Sequence, residues 1–481
     1  MTDSNAHSLN PDLIAALSDI VGATNIRLDK ESLVQFGQDW AKIFDPKPCA
    51  IVLPSTTEQV QAIVRLANEH NIAITPSGGR TGLSGGATAC NGELVVALDR
   101  MNNVLDFNAI DQTVTVEAGV ITEQLQNFAA DKGLFYPVDF ASAGSSQIGG
   151  NIGTNAGGIK VIRYGMTRNW VMGLKVVAGN GEILELNQGL MKNNAGYDLR
   201  QLFIGSEGTL GLICEATMKL TRTPHDLSVL VLAVPEFSAI MNVLNSFQTQ
   251  IDLTAFEFLS ENAMAKVCQH QNLQRPFETI APYYALIEFE SQTELDMENA
   301  MSVFEQCVEN GWALDGTISQ SQQQAKNLWR LREDISETLS QWTPYKNDLS
   351  VTVSKVPAFL AEVEAVVNYA YPEFEVVWFG HIGDGNLHLN ILKPNELERD
   401  EFVAKCTTVN DKIFTVVKKY GGSISAEHGV GLSKKPYLSY SRSETEIGLM
   451  KAIKMVFDPN GIMNPGKIFD WDLNDELSTP L

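Results

Sequence analysis

The sequence predicts an α+β fold in two or three domains, and three observations carry that prediction. Short β-branched runs alternate with helical stretches from 50 to 220. The composition changes near 225, where a second series of strands and helices begins. With 44% apolar residues among 481, the chain is long enough to bury more than one large core.

Taken in order, residues 1–42 read as a polar helical segment that ends at DPKPCAIVLPST, where prolines punctuate entry into a strand. The next domain, 43–223, is expected to hold the strands AIVLP, IAITP, LVVALD, VTVEAGV, NWVMGLKVVAG and EILEL, with helices over TEQVQAIVRLANEHN and ITEQLQNFAADKG. A second α+β domain, 224–425, has strands such as LSVLVLAV and YYALIEFES separated by helices such as ELDMENAMSVFEQCVENG. The closing segment, 426–481, joins an amphipathic helix in ETEIGLMKAIKMVF to a proline-turn tail. No internal repeat interrupts this plan.

A formal charge of −23 argues against an extended nucleic-acid surface, which needs clustered Lys and Arg. The longest apolar runs fall far short of the ~20 residues a membrane-spanning helix requires. The N-terminus MTDSNAHSLNPDL has neither a basic n-region nor the arginines of a mitochondrial presequence, so the expected location is the cytoplasm. Six dispersed cysteines without a C-x-x-C disfavour a disulfide scaffold, a zinc ribbon or an iron–sulfur cluster.

Two glycine-rich loops interrupt the first domain, PSGGRTGLSGG (76–86) after the strand IAIT and SSQIGGNIGTNAGG (145–158) before KVIRYG. Glycine removes the Cβ that would keep backbone N–H groups away from a pyrophosphate. Neither loop is a Rossmann fingerprint, because no G-x-G-x-x-G occurs in the chain, so a nicotinamide cofactor is unsupported. GIMNPGKI (461–468) nearly spells a P-loop, but Ile468 stands where Ser or Thr is needed.

Chemistry concentrates at HIGDGNLHLN (381–390) and SAEHGVG (425–431), which gather three of seven histidines with a carboxylate. EVVWF and LHLNIL read as strands joined by a tight glycine turn, a hairpin that lets His381 approach His388 and puts His388 and Asn390 on one face. Two imidazoles and the Glu427 carboxylate suit a divalent transition metal, zinc being the commonest, with a coordination position left for substrate. His428 then stands beside the metal as a base. Any one of these histidines alone reads as a satisfied loop residue; their joint arrangement reverses that preference. Asp384 reads as turn chemistry and stays outside the set. Arg332 and Ser336, four apart in a helical stretch, share a face, with Lys346 just beyond, and the three could hold a distal carboxylate.

These motifs resemble the flavin oxidoreductases of the vanillyl-alcohol oxidase and p-cresol methylhydroxylase type, specifically the metal-dependent D-2-hydroxyacid dehydrogenases, nearly end to end. The two glycine loops, IGSEGTLGLI (204–213) and NPGKIF (464–469) match that family's flavin segments in order. The resemblance implies a two-subdomain FAD-binding domain, an α+β substrate (cap) domain and a C-terminal helical segment returning to the FAD domain. It implies FAD contacts from Pro76, Ser77, Gly78, Gly79, Thr81, Gly82 and Ser84, joined by Gly149, Gly150, Thr154, Asn155, Gly158, Gly208, Ile213 and Asn464. Residues 76–86 contain no histidine for covalent attachment, so FAD is expected to be non-covalent. His381, His388 and Glu427 match the family's metal ligands and His428 its base, in agreement with the unaided reading.

LWRLREDISETLSQWTPYKNDLS (328–350) is most similar to the D-2-hydroxyglutarate-oxidising branch, with D-lactate or another monocarboxylate as the alternative substrate. The expected reaction passes a hydride from C2 of the D-2-hydroxy acid to flavin N5, with Asn390 steadying the carboxylate. Electrons then leave to an external acceptor such as an electron-transfer flavoprotein or a quinone, and a homodimer is an open option. Two other classes compete: a zinc hydrolase, which the glycine loops disfavour, and a flavin-binding module without turnover.

Overall fold

The computed structural model describes residues 9–471, so the extreme ends of the expected first and last segments, 1–8 and 472–481, lie outside the described residues. The chain divides into two compact units. The first takes the chain up to Ala156, Met166–Thr223 and everything from Glu427 on; the second takes Gly157–Gly165 and Pro224–Ala426. The N- and C-terminal segments therefore belong to the same unit as most of 43–223.

The first unit holds two main sheets. One runs in the order Ile26–Arg27, Ala50–Val52, Leu94–Ala97, Ile74–Ser77, and its last three strands are parallel. The helix Thr57–His70 supplies the crossover that parallel strands need. Thr56 caps it by accepting from the Gln59 amide, Val60, Ile63, Val64 and Ala67 form its buried stripe, and Asn71 ends it at φ 52°. The other sheet is antiparallel, in the order Val104–Asn108, Thr113–Glu117, Gly211–Lys219, Val171–Ala178, Ile183–Leu186.

The second glycine-rich segment differs from the open loop expected of it, because Ile148–Thr154 is a helix. Ile148 and Ile152, four apart, are both buried. Gly149 admits the close approach this requires, since a Cβ there would lie 2.6 Å from that of Ala118. At the C-terminus, the helix Glu444–Phe457 delivers a buried Lys454, whose Nζ donates to Thr209 O at 2.8 Å, Asp458 Oδ2 at 2.6 Å and Met463 O at 2.9 Å. The tail so fixed runs beside the first sheet, with Asn464 N donating to Ile74 O at 2.7 Å.

The second unit is built on a seven-stranded antiparallel sheet. Its order is Asp315–Ile318, Leu227–Val234, Tyr283–Glu290, Leu253–Ser260, Val376–Gly380, Asn386–Ile391, Tyr345–Ser350. The expected hairpin forms its sixth and fifth members, and 345–350, which the sequence reading left beyond a helix, forms an edge strand. The short excursion Gly157–Gly165 is fastened here by charge. Lys160 Nζ pairs with the buried Glu288 carboxylate, which also accepts from Thr254 Oγ1 and, at 2.8 Å, from Trp329 Nε1.

Removing one side of a buried ion pair typically costs about 3–5 kcal/mol, because the other charge is stranded. Glu288→Ala should therefore lower stability by that order in urea denaturation, whereas Glu294→Ala, on the first turn of an exposed helix end, should leave the transition nearly unmoved. Equal, small shifts for both would show that the Lys160 contact fastens nothing.

Candidate functional site

The register of the second sheet brings polar side chains onto one face. Lys346 lies opposite Asn390 and Asp348 opposite His388, while Phe379 flanks His388 from the other side. Directly paired residues share a face, as do residues two apart along a strand. Leu259 pairs with Phe379, which brings Glu257 to the same face, and His381 follows Phe379 by two. His381 Nδ1 and Glu257 Oε1 are accordingly 2.8 Å apart. The His381 and His388 rings meet edge to face at 5.3 Å. Leu387, Leu389 and Ile391 turn to the opposite face and are fully buried.

Gly385 closes the hairpin turn at φ 86°, where a Cβ would sit 2.0 Å from Val351 O. Asp384 Oδ1 accepts from the Asn386 amide at 3.1 Å, and burial pushes its carboxyl up to about 6, as suits a turn residue. Asp348 backs the histidine pair: its Oδ1 accepts from Asn386 Nδ2 at 2.8 Å and lies 3.7 Å from His388 Nδ1. The Asp348 carbonyl also receives the Ala426 amide at 3.4 Å, and the next peptide bond leads to Glu427. One ligand atom each from His381, His388 and Glu427 lies within 4.8 Å of the others. Two imidazoles and a carboxylate so gathered fit a divalent transition metal.

Arg332, on the helix Gln322–Glu333, is only 5% exposed. Its guanidinium lies over the Phe379 ring at 4.7 Å, and its Nε is 2.8 Å from Glu257 Oε2. That approach is an ion contact without an aligned N–H, and the buried Nη2 has no hydrogen-bond partner. The helix gives way at Asp334 to a second one, Ile335–Leu339, and the buried stripe runs through Leu331, Arg332, Ile335, Thr338 and Leu339, leaving Ser336 exposed. Lys346 is reached by solvent, yet the protein around it pushes its ammonium below the usual lysine range. Asn390 is buried, its Nδ2 donating to His388 O at 3.3 Å.

In the first unit, the two glycine-rich segments converge. A Cβ on Gly78 would lie 3.6 Å from Gly150 Cα, one on Gly79 2.3 Å from Ser145 O, and one on Gly208, at φ 72°, 2.8 Å from Pro76 Cγ. Among the described residues, none of the six backbone amides from Gly79 to Ser84 donates to another atom of the chain. The loop is held instead at its edges, by Arg80 pairing with Asp99 at 2.8 Å and by Gly85 N donating to Asp39 Oδ2 at 2.6 Å. A Cβ on Gly150 or Gly153 would meet no protein atom within 4 Å, while Thr75 Oγ1, Gln147 Oε1 and Asn464 Oδ1 are buried without partners. Bare backbone facing open space, with unused amide donors around it, fits a dinucleotide pyrophosphate.

The remaining residues expected at the flavin have their own places. Ser77 ends the Ile74–Ser77 strand with its Oγ on Phe36 O at 3.2 Å, and Thr81 and Gly82 lie in the loop beside Asp39. Thr154 and Asn155 finish the short helix, Asn155 at φ 50°. Ile213 is buried on Gly211–Lys219, and Asn464 Nδ2 donates to Gly86 O at 2.9 Å and Glu207 O at 2.7 Å. Gly158 alone among them falls in the second unit.

His428 is carried by a segment pinned to the same loop. Ser84 Oγ donates to His428 O at 2.8 Å, and the Glu207 carboxylate accepts from Val430 N at 2.7 Å and Gly431 N at 2.8 Å. Sequence reasoning missed Glu207, Asp348 and Glu257. Glu257 alone carried a signal, as a single acid inside the otherwise apolar run LTAFEFLS.

Comparison with known proteins agrees with this geometry. Residues 48–187 match an FAD binding domain and residues 223–468 the C-terminal domain of FAD linked oxidases. A D-2-hydroxyglutarate dehydrogenase of Stutzerimonas stutzeri is 64% identical over 96% of this chain and 99% of its own. One from Xanthomonas citri pv. viticola is 54% identical over 95% and 97%. The crystal structure of p-cresol methylhydroxylase with substrate bound superposes with a TM-score of 0.76 at 16% identity, covering 95% of this chain and 96% of that one, a likeness of fold.

Gly150→Ala is expected to leave the stability of the flavin-free protein unchanged, because the added methyl meets no protein atom. It should weaken FAD retention, read as the loss of yellow absorbance after gel filtration. Full flavin content in that variant would place the cofactor elsewhere.

Proposed function

The chain belongs to the FAD-dependent D-2-hydroxyacid dehydrogenases of the vanillyl-alcohol oxidase and p-cresol methylhydroxylase type, and from that premise we propose that it oxidises D-2-hydroxyglutarate to the 2-oxo acid with a divalent metal, zinc first among candidates. The observation that carries the substrate is Arg332. A buried guanidinium whose Nη2 has no partner in the protein, beside two histidines able to hold a metal, suits an acid with a carboxylate at each end. The names of the Stutzerimonas and Xanthomonas relatives support the same substrate.

Bound FAD supplies the two-electron acceptor for the C2 hydride, and a bound metal supplies the Lewis acid for the C1 carboxylate and C2 hydroxyl. We assign the metal to His381, His388 and Glu427. The flavin falls to the two glycine segments, with Gly208, Ile213 and Asn464. Arg332 grips the distal carboxylate through its open Nη2; Lys346 adds a point charge and Ser336 a hydroxyl. Asn390 orients the C1 carboxylate. His428 takes the hydroxyl proton, a role supported by its place one residue after Glu427 and by the Ser84 and Glu207 contacts that fix its backbone. Electrons then pass to an external acceptor of the electron-transfer flavoprotein or quinone class.

The test is anaerobic mixing of the holoenzyme with D-2-hydroxyglutarate or D-lactate while the flavin absorbance is followed. Rapid bleaching by the dicarboxylate is expected, and Arg332→Ala should slow it at least about tenfold, the scale of a lost charged hydrogen bond, while sparing D-lactate. Bleaching by D-lactate alone would move the assignment to the monocarboxylate.

Lys346 adds a pH signature. Only the ammonium grips a carboxylate, and partial desolvation by the protein around it lowers its pKa although solvent reaches it, so the charge is lost at a lower pH than in a free lysine as pH rises. KM for D-2-hydroxyglutarate should therefore climb on the alkaline side while KM for D-lactate stays flat, and Lys346→Met should abolish the difference. Parallel pH profiles for the two substrates in the wild-type enzyme would remove Lys346 from the site.

A further inference from the structure

We propose that Glu257 is a positioning residue that sets the metal grip and the carboxylate grip together: it fixes the His381 tautomer and aims the Arg332 guanidinium. This rests on the metal and substrate reading above.

Glu257 sits in the middle of the strand Leu253–Ser260 and is 1% exposed. Its two oxygens go to two different functions, Oε1 to His381 Nδ1 at 2.8 Å and Oε2 to Arg332 Nε at 2.8 Å. A carboxylate offers only acceptors, so the first contact requires hydrogen on Nδ1, which leaves Nε2 as the lone-pair nitrogen for a metal. The second contact acts with the Phe379 ring, 4.7 Å from the guanidinium carbon, to hold the plane of Arg332. Nε makes an ion contact with Glu257, and Nη2 is left unpartnered. One buried carboxylate thus joins the two halves of substrate recognition, and disturbing it should disturb both.

Glu257→Gln keeps the shape, removes the charge and turns an amide NH2 toward one neighbour. In the FAD-loaded protein, zinc affinity measured by competition with a chromogenic chelator should fall about tenfold, the lower end of the effect of losing an outer partner of a metal-bound histidine. With zinc then held at saturation, KM for D-2-hydroxyglutarate should rise about tenfold, the scale of a charged hydrogen bond, with KM for D-lactate unchanged. A role confined to stability would move the melting temperature and neither of these. If wild-type protein binds zinc and His388→Ala does not, while Glu257→Gln matches wild type in zinc affinity or in the ratio of the two KM values, the inference falls and the metal reading stands. If wild-type protein takes up no zinc, both fall. Should Glu257→Gln fail to fold, Glu257→Asp, which keeps the charge on a shorter reach, is expected to show both losses in reduced form, and wild-type values there would equally overturn the proposal.

Discussion

A charge taken out of water survives only where partners replace the hydration it has lost, and four such charges fasten segments of this chain that local interactions would not hold. Glu288 fixes the excursion 157–165 through Lys160. Glu207 receives two consecutive amides of the segment that carries His428, and its own burial raises its pKa despite them. Lys454 gathers the C-terminal turn through Asp458 and the carbonyls of Thr209 and Met463. Glu257 ties a helix to a hairpin. For Glu288, Glu207 and Glu257 the partners lie far apart in sequence, and for Lys454 one of three does, so the cost of burial is fully offset only in the folded chain.

Glycine plays the complementary part. Gly79, Gly149 and Gly208 are demanded by packing, because a Cβ at each would strike neighbouring protein atoms. Gly150 and Gly153 are not, since a Cβ there meets nothing. The first group lets two backbone segments close on each other, and the second keeps the resulting space clear. A glycine demanded by packing can thus be recognised by what the missing methyl would have struck.

The hairpin at 376–391 was legible because everything that specifies it is local: two alternating strands and a G-D-G turn whose second glycine has a left-handed backbone. The glycine segment at 148–154 was misread as loop because glycine content outweighed the Ile148–Ile152 spacing, and tertiary packing decided for helix. Arg332 is buried and Ser336 exposed although they lie four apart, because the buried stripe passes through Arg332 and Ile335. The pairing of Glu257 with His381 was invisible for a simpler reason. The two lie 124 residues apart, and no periodicity relates them.

Burial also ranks the groups that would select the substrate. Lys346 is reached by water, so a carboxylate there exchanges one solvated partner for another, and the net gain is small. Arg332 is enclosed, and its Nη2 has no partner within the protein. A monocarboxylate that ends at C3 would leave that nitrogen unsatisfied in the complex as it is in the free protein, forfeiting a charged hydrogen bond. Sites that reject analogues lacking a polar group reach larger factors than apolar pockets do, because the unmet group is already desolvated. On the proposed reading, discrimination between hydroxy acids would be concentrated in Arg332, and the side chains that contact it, Glu257 and Phe379, would bear on specificity as well.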